Sequence, residues 1–156
     1  MSIHLTSFKR YHDDKWTMPG VSIAVYQPKW YPQLPKIDYF DIRNEKGSWI
    51  RPRDFVPPNH DRTKFDFSIV EAYATELIHQ YHLRYTDIWD WLKENQLFQR
   101  SDIALCCWCP HDKAAGRQIK DFGTYVCHSA VVEKFLNDHF DVDVIRDKER
   151  GNMVQL

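Results

Sequence analysis

Glycine is scarce in this chain, with five among 156 residues. No pair of them is spaced to spell a G-x-x-x-x-G-K-[S/T] loop or a G-x-G-x-x-G turn, so the common glycine-rich phosphate cradles are excluded. A G-x-S-x-G elbow and an H-E-x-x-H helix are absent too, which removes the familiar hydrolase and zinc-protease signatures. No apolar run approaches the roughly 18 residues that a membrane-spanning helix needs. Charge of one sign is not in excess: the formal net charge is -1, so no global field draws the chain toward nucleic acid or an anionic membrane. Paired carboxylates suited to acid–base work are missing, since Glu71 reads as a helix cap and Asp87 and Asp90 as the polar side of a helix. The opening Met1-Ser2-Ile3-His4 lacks the basic-then-apolar profile of a secretory signal.

What the chain does have is apolar and aromatic material. Hydrophobic residues make up 43% and aromatics 15%, enough to build a core and leave rings over for a binding surface. The length is that of one domain, residues 1–156, and it would bury about two thirds of the unfolded surface.

Hydrophobic periodicity supplies the element order. Ile3 to Phe8 reads as a first strand and Val21 to Tyr26 as a second, apolar and central, with a polar loop from Lys9 to Gly20 between them. Three prolines at Pro28, Pro32 and Pro35 preclude helix and central strand there. Ile37 to Ile42 reads as a short strand or a turn of helix. Ser68-x-x-Glu71 has the form of a capping box opening a helix with Val70, Tyr73, Ala74, Leu77 and Tyr81 on its apolar face. A second helix starts near Thr86, a strand covers Asp102 to Cys109, and a helix runs from about Ser129. Asp141 to Ile145 forms a last strand, and residues 146–156 form a charged tail. Strands alternating with helices predict a three-layer α/β domain, Rossmann-like, with a mostly parallel sheet and helices on both faces.

Residues 43–65 read as an irregular insertion, basic in net character and interleaved with Trp49 and Phe55. A long irregular loop in a compact domain is commonly functional. Its arginines and lysines, Arg51 and Arg53 among them, make a nucleic-acid or protein interaction surface one reading of this segment.

All four cysteines lie in two short stretches, Leu105-Cys106-Cys107-Trp108-Cys109-Pro110-His111 and Val126-Cys127-His128-Ser129. Clustered, partly adjacent cysteines are unlike the spaced framework of a secreted disulfide domain, and a reducing cytoplasm is the expected setting. The first stretch is the end of a strand and the second the start of a helix, which is where α/β proteins place ligands. Several chemistries are compatible with this pattern. Cys107, Cys109, His111 and Cys127 would be the donors of a zinc site, although C-x-C is not the usual knuckle spacing. Cys127, at a helix N-terminus and beside His128, would instead be an activated thiol, with the pair as catalytic candidates. The phosphatase Cys-x5-Arg signature is absent. Cysteines are also among the most buried residues, and Cys106 reads as core. A phosphate or carboxylate would be held by the amides around Cys127-His128-Ser129 with Lys113, Arg117 or Lys120, in a pocket lined also by Cys107 and Cys109, and Thr6, Ser7, Arg10, Lys29 and Trp30 would come to the same edge from other loops.

The order of these motifs resembles the domain-of-unknown-function 488 family. It shows in Thr6-Ser7-Phe8-Lys9-Arg10, in Ser22-Ile23-Ala24-Val25 followed by Pro28-Lys29-Trp30-Tyr31-Pro32, in Leu105-Cys106-Cys107-Trp108-Cys109, and in Cys127-His128-Ser129. Ser129 stands where the family pattern has arginine. The resemblance implies a small α/β fold with a Cys-His pocket at the strand ends, and it implies no reaction. From residues and resemblance together, the expected function is binding or processing a small phosphorylated or nucleotide-like ligand.

Overall fold

The structure is a computed structural model, and it describes residues 2–24, 26–48, 50–59, 67–94, 102–108 and 128–146. Its centre is a pair of parallel strands, β1 (Ser2–Ser7) and β3 (Ile103–Cys107), in register from Ile3 opposite Ile103 to Ser7 opposite Cys107. The short strand β2 (Gly20–Ser22) lies outside β3, and β4 (Asp143–Arg146) lies outside β1. The order is β2-β3-β1-β4, and every neighbouring pair is parallel. This is the α/β class with a parallel sheet that the alternation of strands and helices predicts. β3 is buried along its whole length, as a central parallel strand should be.

Three longer helices cover one face: α2 (Phe67–Leu83), α3 (Tyr85–Leu92) and α4 (His128–His139). Ile3, Leu5, Ile103, Leu105 and Cys107 point toward them and join one apolar cluster with Leu77, Tyr81, Ile88, Phe135 and Leu136. Alternation sends Ala104 and Cys106 to the opposite face. There they meet Phe8, Ala24 and a set of half-buried residues, Tyr11, Trp16, Met18, Tyr31, Leu34 and Trp108.

Local structure departs from the sequence expectation at four places. Lys9 to Gly20 is not all loop, because Phe8–Asp13 forms a helix, α1. Ser7 caps it: the backbone is extended (φ -97°, ψ 157°) and Oγ accepts a hydrogen bond from Arg10 N at 3.1 Å. The second strand is three residues rather than six. Ser22 Oγ accepts from Ala24 N and donates to Ala24 O, which turns the chain away from the sheet. Ile37 to Ile42 forms neither strand nor helix, and the chain just before it touches the sheet in a single bridge, Ser22 opposite Lys36. Finally, α2 already includes Phe67, so Ser68 sits inside the helix rather than at its cap.

Gly20 lets the Tyr11 ring lie directly against the backbone of β2. A Cβ there would stand 2.6 Å from the Tyr11 ring, whose hydroxyl donates to Met18 O at 2.7 Å. No helix among the described residues is long and apolar enough to cross a membrane.

Candidate functional site

The connections leaving the two central strands diverge. β1 leads through α1 to β2, beyond β3, whereas β3 leads toward α4 and β4, beyond β1. The helices that follow them also pack on opposite faces, α1 through Phe8 and α4 through Val131, Val132 and Phe135. Adjacent parallel strands with diverging connections open a crevice at their C-terminal ends. Here those ends are Ser7 and Cys107.

Hydroxyls gather at this edge on both faces of the sheet: Thr6 and Ser22 are in register with Cys106, which points to the α1 face, and Ser7 with Cys107, which points to the α4 face. Thr6, Ser7, Ser22 and Ser129 are the buried polar side chains among the described residues, and all four lie at this edge of the sheet. Burying a hydroxyl is costly unless it is hydrogen-bonded, so their concentration at one edge has to be satisfied locally. Ser7 caps α1 and Ser22 bonds Ala24, as described above. His128 Nε2 lies 3.0 Å from Ile23 O, which fixes the start of α4 to the end of β2, with Nε2 carrying the proton in that tautomer. Cys107 Sγ donates to Thr6 O at 3.7 Å. Both cysteines of β3 are fully buried and serve as core.

On the α1 side lies an open recess of about 80 Å³, lined by Phe8, Lys9, Pro28, Trp30, Tyr31 and Trp108. Phe8 and Trp108 directly follow β1 and β3, so the recess sits at the strand ends. The proline-rich loop brings Trp30 and Tyr31 across. Trp108 Nε1 donates to Tyr26 O at 2.6 Å, and Gln27 closes the loop with bonds to both Leu34 N and Leu34 O at 2.8 Å. Asp13 ties the recess to α1 by accepting from Lys9 Nζ at 2.5 Å and from the Tyr31 hydroxyl at 2.9 Å. Those hydrogen bonds hold the Asp13 carboxyl below the usual carboxylate range and, from the other side, raise Lys9. Tyr31 is raised by desolvation first and by Asp13 second, and burial lowers His12.

The expected site residues therefore divide. Thr6, Ser7, Cys107, His128 and Ser129 come together at the crevice, though Thr6, Ser7, Cys107 and Ser129 have almost no exposed surface. Trp30 belongs to the recess on the other face, Lys29 is exposed outside its lining, and Arg10 lies 3.5 Å from Asp14 in an ion pair. Cys109, His111, Lys113, Arg117, Lys120 and Cys127 lie outside the described residues. Of the proposed zinc donors only Cys107 is described, and no group of three or more potential metal ligands occurs among the described residues.

The basic segment is partly anchored. Asn44 Oδ1 accepts from Lys46 N and Ser48 N to make a turn, with Gly47 at φ +83°. Ile50 and Phe55 pack on the core, and Arg51 N donates to Asp54 Oδ2 at 2.8 Å. Trp49, Arg62 and Lys64 lie outside the described residues.

Sequence reasoning missed Phe8, Lys9 and Trp108 as site residues. The available signal was positional: each stands just past the C-terminal end of a central strand. The chain matches no protein-family model, no curated protein and no solved structure.

Proposed function

We propose that the protein binds a small phosphorylated or nucleotide-like ligand at the C-terminal edge of the sheet, where α4 begins. The observation that carries this reading is the gathering of the buried hydroxyls Thr6, Ser7, Ser22 and Ser129 at one edge, beneath diverging connections. α4 is 12 residues long, so the amides of its first turn add a partial positive charge to that edge. Cys127 precedes His128 in the sequence, and this reading assigns it as the thiol that meets the ligand. The interaction-module reading of residues 43–64 gains less support, because Ile50 and Phe55 draw their part of the segment onto the core.

Calorimetric titration with AMP, and with inorganic phosphate as the minimal probe, tests the proposal. Saturable binding is expected for the wild type, weakened roughly tenfold by Ser129→Ala or His128→Ala, the scale of one lost hydrogen bond to a charged group. Circular dichroism checks that both variants fold. Absence of saturable binding, or affinities unmoved by both substitutions, would overturn it.

A further inference from the structure

The recess on the α1 face has a composition unlike that of an anion site. Four of its six lining residues are aromatic, one is Pro28, and the remaining one is Lys9. Lys9 adds no free positive charge, because its ammonium is paired with Asp13 at 2.5 Å. His12, whose pKa burial lowers, is a neutral ring near pH 7 and stacks on Tyr31 at 4.7 Å and 21°.

The rings that line the recess touch one another in succession. Phe8 meets Trp108 at 5.9 Å and 77°, Trp108 meets Trp30 at 6.0 Å and 70°, and Trp30 meets Tyr31 at 6.4 Å and 54°. Each plane is steeply inclined to the one before, so the rings do not form a stack and their faces point in different directions. Trp30 is 74% exposed, which leaves most of a large apolar ring facing water at the mouth of a concave site. A single planar base would stack on only one such ring. A compact cation is attracted by several ring faces at once, because each carries negative charge above its plane.

We propose that this recess is an aromatic cage for a methylated ammonium group, carried either by a free small molecule of the choline type or by a methylated lysine. The Asp13 carboxylate, bonded to the Tyr31 hydroxyl, holds one wall in place. The inference does not rest on the phosphate-site reading. Phe8 and Trp108 belong to the second face, whereas α4 packs on the first.

The test follows tryptophan indole N–H signals by NMR during titration of the intact protein with choline chloride. Its neutral isostere 3,3-dimethyl-1-butanol and a trimethyllysine peptide are run in parallel. Trp30→Ala identifies the Trp30 signal, and because that ring is largely exposed the variant is expected to fold.

The Trp30 and Trp108 signals should shift saturably with choline or with the peptide, the tighter binder naming the source. The neutral isostere should bind roughly tenfold more weakly than choline. Trp30→Ala should abolish the response, while Trp30→Phe should retain part of it. Equal binding of the neutral isostere would reduce the recess to an apolar slot and overturn the proposal. So would shifts caused by AMP alone, or no saturable shift with either cation.

Discussion

The two faces of this sheet solve the same problem with different materials. On the first, three helices of 8 to 17 residues lay aliphatic and aromatic side chains over Ile3, Leu5, Ile103 and Leu105. On the second, the cover is a helix of six residues and a proline-rich loop, and much of what they contribute is half-exposed rings. A long amphipathic helix can bury a stripe and keep its polar groups paired internally. A short helix and a loop cannot, so their rings stay near the surface, held by isolated hydrogen bonds such as Tyr31 to Asp13 and Trp108 to Tyr26. Stability is thus concentrated on one face, and adaptable recognition surface on the other.

Substitutions can break that division, and the largest effect belongs to the first face. Phe135→Ala empties a fully buried site touching Tyr81, and it should cost about 3–5 kcal/mol in denaturant unfolding. Gly20→Ala strikes the second face, where the Tyr11 ring lies against β2. The new methyl displaces the Tyr11 ring from its bond to Met18 O, and about 1–3 kcal/mol should be lost.

A smaller effect concerns Asp13, which is exposed. Its carboxyl is held below the ordinary value of about 3.9, so whatever it contributes is present above that pH and is lost as the pH falls through its folded value. An acid titration of stability should therefore show a slight loss below about pH 4 that Asp13→Asn removes. Identical acid profiles for the two proteins would show that the latch carries no stability. The smallest effect belongs to Trp30→Ala, within about 0.5 kcal/mol of wild type by thermal unfolding, since its ring is mostly in solvent. A loss as large as that of Phe135→Ala would mean that the two faces are not divided in this way.

The first face was the more legible in the sequence, for the same physical reason. Val70, Tyr73, Leu77 and Tyr81 repeat at helical spacing because one side of α2 is buried along its length. β3 reads as a strand because it is apolar throughout. α1 offers no such repeat: among its residues only Phe8 is buried, so six residues of mixed character look like a loop. The end of β2 was hidden as well. Ile23 and Ala24 stay buried past the last residue of β2, and apolar sequence alone does not distinguish a paired strand from a buried bend.

At the site, the placement of ligand chemistry at the strand ends follows from topology. The roles of individual residues depend on side-chain partners that spacing does not show. Cys106 and Cys107 illustrate this, since both are sealed in the core on opposite faces of one strand. Of the chain's four thiols, these two should resist a thiol reagent under native conditions and react only after unfolding. Rapid native modification of either would show that the strand end is open.

The pairing of β1 with β3 also governs how the protein emerges during synthesis. Ile3 and Ile103 are paired across 100 positions of sequence, and in the sheet order β2 neighbours β3 while β4 neighbours β1. Until β3 has been made, neither β1 nor β2 has its neighbouring strand among the described residues. At roughly 5–20 residues per second, the first hundred residues leave the ribosome over about 5–20 seconds with no sheet to join. During that interval the apolar edge of β1 is a target for chaperones and for unwanted strand pairing, and a chain truncated before Ile103 should be recovered as aggregate.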